Sequence, residues 1–125
     1  MIVGTGIDII EVSRIKNALE MWGDRFLKRV FTDRELDYVN TKKFSHENLA
    51  ARFACKESVL KALGDTRIGA SLKHIEVINN KKGKPEVILH GEAKKFAEKK
   101  KLGNIIVSMS HTSNYAISNV ILWKD

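Results

Sequence analysis

The chain has one cysteine, one proline and few aromatic residues among its 125 positions. Cys55 can form no internal disulfide and has no second thiol with which to share zinc, so a disulfide scaffold and a cysteine metal cluster are both excluded. Any metal is expected to be a hard cation held by oxygen. No apolar run reaches the roughly 18 to 20 residues that cross a bilayer, and the start lacks the basic segment and small-residue cleavage site of a secretory leader. A cytoplasmic protein with no membrane role is the expectation. Repeats, low-complexity tracts and linkers are missing too, and the length suits one domain over residues 1–125.

What is present is 43% hydrophobic and 30% charged, enough to build a core, with a formal charge of +7 that favours an anionic partner. Nucleic acid, lipid, a phosphorylated cofactor and an acidic protein all qualify on charge alone. Part of the excess sits in Lys81-Lys82-Gly83-Lys84, and part in Lys94-Lys95 and Lys99-Lys100-Lys101. The latter cluster shares a predicted helix with Ala93, Phe96 and Ala97 and has no interleaved aromatics, which favours a solvated face over a nucleic-acid stripe.

Periodicity gives an order of elements. Ile2 to Ile10 reads as a strand, followed by a helix carrying Val12, Ile15, Ala18, Leu19 and Trp22 and stopped by Gly23. In "RVFTDREL", Thr32 and Glu35 form a capping box that starts another short helix. A loop ends at Ser45, a predicted N-cap, and a long helix runs from about Glu47 to Leu63 with Gly64 closing it. Two strands near residues 74–79 and 86–90, a helix over 92–102 and a final hairpin around "HTSN" complete the chain. One strand, then helices, then mainly hairpins argues for an α+β domain, a mostly antiparallel sheet packed on one long helix.

Two positions break the apolar pattern. Strand alternation puts Gly4, Gly6, Asp8 and Ile10 on one face, so Asp8 follows two glycines. Either that face leaves room for a ligand, or Asp8 ends the strand and caps the next helix. On the long helix, Leu49, Phe53, Leu60 and Leu63 make one stripe; Lys56 falls inside it, Glu57 on its shoulder, and Lys61 one turn beyond Glu57. An exposed Glu57–Lys61 pair is worth only about 0.3 to 0.5 kcal/mol, a weak reason to place charge near a core. The alternative is binding. Two carboxylates from distant segments suit Mg²⁺, which keeps waters and takes further oxygens from substrate phosphates, with lysines carrying the remaining phosphate charge.

These residues resemble the holo-acyl-carrier-protein synthases, the small trimeric type of 4'-phosphopantetheinyl transferase. The matching pieces are "GIDIIEVSRI" (6–15), "RVFTDRE" (29–35), "RFACKESVLKALG" (52–64), "GKP" (83–85) and "SMSHTSNYAI" (108–117), in family order across nearly the whole chain. G-x-D joined to F-x-x-K-E-x-x-x-K-A is the specific combination. The resemblance implies transfer of the phosphopantetheine arm from coenzyme A to a serine of apo-acyl carrier protein, releasing adenosine 3',5'-bisphosphate, in support of fatty acid biosynthesis. It implies Mg²⁺ on Asp8 and Glu57, and Lys61 on the transferring phosphate. Arg52, Lys56, Lys61, Gly83, Lys84, Pro85, His111 and Thr112 are the expected coenzyme contacts, some reaching the site across the interfaces of a homotrimer. Arg14, Arg25, Phe26 and Lys28 are expected to dock the acidic carrier. The serine proton would go to Glu57 or to a water on the metal. One departure is "KALGDTRIG", where many relatives have a glycine soon after Gly64, which bears on loop contacts near Asp65 and Thr66.

Two rival readings come from other classes. A small basic nucleic-acid-binding protein explains the charge but leaves Asp8 and Glu57 as misplaced negatives. A subunit-interface protein without chemistry explains the apolar C-terminal strands but not the charges on the long helix.

Overall fold

Apolar strands at both ends of the chain and a long alanine-rich helix in its middle set the architecture, because the strands pair with each other and the helix fills the space beneath them. The computed structural model describes residues 1–64 and 71–125. In order it has β1 (Ile2–Glu11), α1 (Val12–Trp22), α2 (Asp24–Val30), α3 (Asp33–Asn40), α4 (Ser45–Leu63), a single 3-10 turn (Leu72–His74), β2 (Ile75–Asn79), β3 (Pro85–Leu89), α5 (Gly91–Lys99), β4 (Asn104–His111) and β5 (Tyr115–Trp123). β1, β5 and β4 form a three-stranded antiparallel sheet with β5 in the centre, and β2 and β3 form a separate hairpin. The α+β expectation holds. α4 packs against β1, β5 and β4 on one side and touches β2, α1 and α3 on others.

Gly4 and Gly6 do face inward as strand parity requires, but what approaches them is α4 rather than a ligand. A Cβ on Gly6 would stand 1.9 Å from the Ser58 carbonyl oxygen, and one on Gly4 would stand 2.5 Å from that of Ala62. The glycines let β1 lie against the helix backbone. The capping alternative for Asp8 is also overturned: β1 continues to Glu11, and no side chain caps α1.

α4 ends where expected, with Gly64 in the left-handed conformation at φ 76°. Its start moves to Ser45, which lies within the first turn and caps nothing. The buried side of the helix also differs from the stripe read from the sequence. Leu49 is buried, but Phe53, Leu60 and Leu63 are only half-buried; the inner positions belong to Ala50, Ala51, Ala54, Cys55, Val59 and Ala62. A helix covered on several sides buries small residues where neighbouring backbones come close, and its pattern loses a single apolar face. α5 stops at Lys99, earlier than its periodicity suggested, and Lys101 adopts a positive φ of 57°.

Candidate active site

Asp8 leaves the inner face of β1 beside Gly6, where the strand lies against the helix, so its carboxylate is directed at α4. Lys61 meets it there. Its Nζ donates to Asp8 Oδ1 at 2.8 Å and to the Ile7 carbonyl at 3.0 Å. The Asp8 side chain is 18% exposed and that of Lys61 55%, so the pair opens to solvent. Glu57 precedes Lys61 by one turn on the same helix. Partial burial pushes its carboxyl above the ordinary range, and the nearby charge of Asp8 adds to the rise, while Lys61 and Arg14 pull the other way. Asp8, Glu57, Lys61 and Arg14 therefore share one electrostatic neighbourhood at the junction of β1, α1 and α4.

Two carboxylates held close enough to raise a proton affinity by mutual repulsion are an arrangement that a cation relieves. Among the described residues no group of three or more His, Cys, Asp or Glu side chains could hold a metal ion. The donor set thus suits a hard divalent ion that completes its shell with water and phosphate oxygens, as Mg²⁺ does, and not a fully protein-caged ion.

Two expected coenzyme contacts lie elsewhere. Lys56 is wholly buried, and its ammonium donates to Glu35 Oε1 at 2.7 Å, to the Leu72 carbonyl at 3.1 Å and to the Ile75 carbonyl. All three protons are used, so none remains for a phosphate. Burial pulls this ammonium below the ordinary lysine range, with Glu35 opposing the fall. Arg52 is 2% exposed, its guanidinium stacked 4.7 Å from the Tyr38 ring centre and bonded to Asn48 and Asn79. Lys56 lies inside the helix's buried face, as its place in the apolar stripe requires, and is paired there instead of facing a ligand.

The remaining expected residues sit on the surface in separate places. The turn carrying Gly83, Lys84 and Pro85 joins β2 to β3 and borders a hollow of about 540 Å³ that reaches Asn104 and Ile106 on β4. Gly83 needs its glycine, at φ 84°. His111 and Thr112 lie at the β4–β5 turn, beside a smaller hollow of about 110 Å³ with Ile9 and Tyr115. Neither hollow is lined by Asp8, Glu57 or Lys61. Arg25 and Phe26 border a third hollow of about 270 Å³ together with Trp22 and Arg29, and Arg14 and Lys28 are exposed on the same early helices. Asp65 and Thr66 lie outside the described residues.

Sequence reasoning missed a second ionic cluster. Glu35 forms the expected capping box with Thr32, yet it is fully buried and also accepts from Lys56 and from the Val77 N–H at 2.9 Å. Glu76, alone among apolar residues of β2, accepts from Thr32, Arg34 and His90. Burial by itself would raise its carboxyl, but these hydrogen bonds prevail and hold it down at about 2. A single carboxylate in "IEVI" was the available signal.

Comparison with known proteins bears on the chain as a whole. A holo-[acyl-carrier-protein] synthase of Solibacter usitatus is 46% identical over 123 residues, 98% of both chains. The crystal structure of the Neisseria meningitidis holo-[acyl-carrier-protein] synthase superposes with a TM-score of 0.91 at 31% identity, covering 99% of this chain and 100% of that one. A Bacillus anthracis holo-(acyl-carrier-protein) synthase, solved in complex with coenzyme A (3',5'-ADP), gives 0.81 at 34% identity over 100% and 99% of the two chains. Residues 4–120 match the family described as the 4'-phosphopantetheinyl transferase superfamily, and the chain belongs to it.

Proposed function

We propose that the chain, working as one domain over residues 1–125, transfers the 4'-phosphopantetheine arm of coenzyme A to a serine of apo-acyl carrier protein, the holo-acyl-carrier-protein synthase reaction. The observation that carries this reading is the Lys61–Asp8 contact beside Glu57: an accessible cation and two carboxylates, fixed by packing of β1 on α4. The coenzyme A complex of the Bacillus anthracis relative supports the donor, and the names of the relatives support the acceptor.

In the reaction the serine oxygen bonds to the phosphorus that bears the pantetheine arm. The bond from that phosphorus to the bridging oxygen breaks, and the electron pair leaves on adenosine 3',5'-bisphosphate. Positioning and charge stabilisation carry most of such a transfer. Asp8 and Glu57 would hold Mg²⁺, which when bound neutralises the diphosphate. Among the described residues Lys61 gives two of its three protons, to Asp8 and Ile7, and its charge would stabilise the departing phosphate. The serine proton would go to Glu57 or to a water beside it.

Other parts of the reading follow from surfaces. Ile7, Ile9, Ile106 and Ile117 share the outer face of the three-stranded sheet and are 38–62% exposed, an apolar patch suited to contact between subunits. A homotrimer built on it brings coenzyme contacts from a neighbour, with the Gly83–Pro85 and His111–Thr112 turns as the pieces supplied. Arg14, Arg25 and Lys28, with Phe26, form the docking face for an acidic carrier. A cytoplasmic place in fatty acid biosynthesis fits this activity, and no helix among the described residues is long and apolar enough to cross a membrane.

The test is a mass measurement. Protein, coenzyme A, Mg²⁺ and an apo carrier are mixed; the carrier is expected to gain one phosphopantetheine arm, and a chelator is expected to stop the gain. A carrier unchanged in mass under a range of conditions overturns the reading.

A further inference from the structure

The β2–β3 turn does not hang free from its hairpin. Within it, Asn80 closes the loop on itself, its Oδ1 accepting from the N–H groups of Lys82 at 2.9 Å and Lys84 at 3.0 Å. Asn79 does something different. Its Nδ2 donates to the Gly83 carbonyl at 3.0 Å, while its Oδ1 accepts from Arg52 Nη2 on α4. The amide can face only one way, because a guanidinium has no acceptor and a carbonyl no donor. Arg52 is in turn locked by burial, by the Tyr38 ring beneath it and by a contact to Asn48 Oδ1 at 3.4 Å. The chain α4–Arg52–Asn79–Gly83 thus ties the turn to the helix that carries Glu57 and Lys61.

We propose that Asn79 is a positioning residue for coenzyme A: it fixes the Gly83–Pro85 turn against the body of the chain by bridging Arg52 to the Gly83 carbonyl. This rests on the reading above, in which that turn contacts the coenzyme. Asn79 touches neither reacting atoms nor Asp8, Glu57 and Lys61, so its loss should weaken coenzyme binding and spare the chemical step.

Asn79→Asp separates this role from a structural one. The carboxylate keeps, and strengthens, the bond to Arg52, but it has no proton to give Gly83 and repels that carbonyl. The expected result is a KM for coenzyme A raised roughly three- to tenfold, the worth of one such hydrogen bond, with kcat within about twofold, an unchanged KM for the carrier and a thermal midpoint no lower than that of the unaltered protein. Lys84→Ala is measured alongside. A raised KM in Lys84→Ala beside an unaltered KM in Asn79→Asp overturns the positioning role alone. An unaltered KM in both removes the turn from the coenzyme site and overturns the role together with the reading it rests on.

Discussion

α4 carries two lysine–carboxylate pairs little more than one turn apart, and they are opposites. Lys56 and Glu35 are both wholly buried, and every ammonium proton has an acceptor. Lys61 and Asp8 are 55% and 18% exposed, and among the described residues Lys61 gives only two hydrogen bonds. The same two functional groups make a closed unit in one place and an open one in the other. A closed pair can only hold structure, because its charge is already spent on fixed partners. An open pair has a proton, lone pairs and solvent access left over, which is what binding a phosphorylated substrate requires.

The comparison breaks most visibly if each pair is cut on one side. Lys56→Met leaves Glu35 buried with its charge uncompensated, held among the described residues by the N–H groups of Thr32 and Val77. The expected loss is about 3 to 5 kcal/mol of folding stability, read from urea denaturation followed by tryptophan fluorescence. A variant within about 1 kcal/mol of the unaltered protein would show that the closed pair is not structural. Asp8→Ala is the counterpart. Removing an exposed partner should change stability by no more than about 1 kcal/mol, since surface pairs contribute little. Transfer activity, however, should fall at least about a hundredfold, the scale of losing a main charge-stabilising group. Equal effects on stability from the two substitutions would erase the distinction.

Much of this could be read before any coordinates. Strand parity puts Asp8 on the face that meets α4, and the spacing of Glu57 and Lys61 puts both on one side of the helix. Gly64, the Thr32–Glu35 capping box and the "HTSN" hairpin turn are local signals with local causes, and all three appear in the structure. What could not be read depends on partners distant in sequence. Lys56 finds Glu35 across 21 residues and Arg52 finds Asn79 across 27, and a helical wheel of α4 alone contains neither partner. The glycines of β1 gave half an answer. They announced that something comes close to the backbone, but a neighbouring helix and a ligand make the same demand on a Cβ.

The smallest expected effect sharpens the comparison through pH. Glu76 lies between the two cases: its side chain is 3% exposed, yet Arg34, one of its partners, is 59% exposed. Its carboxyl sits at about 2 in the folded chain against an ordinary 4.5, so the unfolded chain binds the proton more readily. Stability from this group is complete above about pH 4.5 to 5 and is lost as pH falls towards 2, because protonation then favours unfolding. Other groups contribute to the pH dependence of the whole protein, so the useful quantity is a difference. Glu76→Gln keeps the size and an acceptor for Arg34 and Thr32 but cannot titrate. Measured by urea denaturation at several pH values, its stability deficit should shrink by roughly 2 kcal/mol between pH 6 and pH 3. A deficit that stays constant with pH would mean that the Arg34, Thr32 and His90 contacts do not hold the carboxylate ionised.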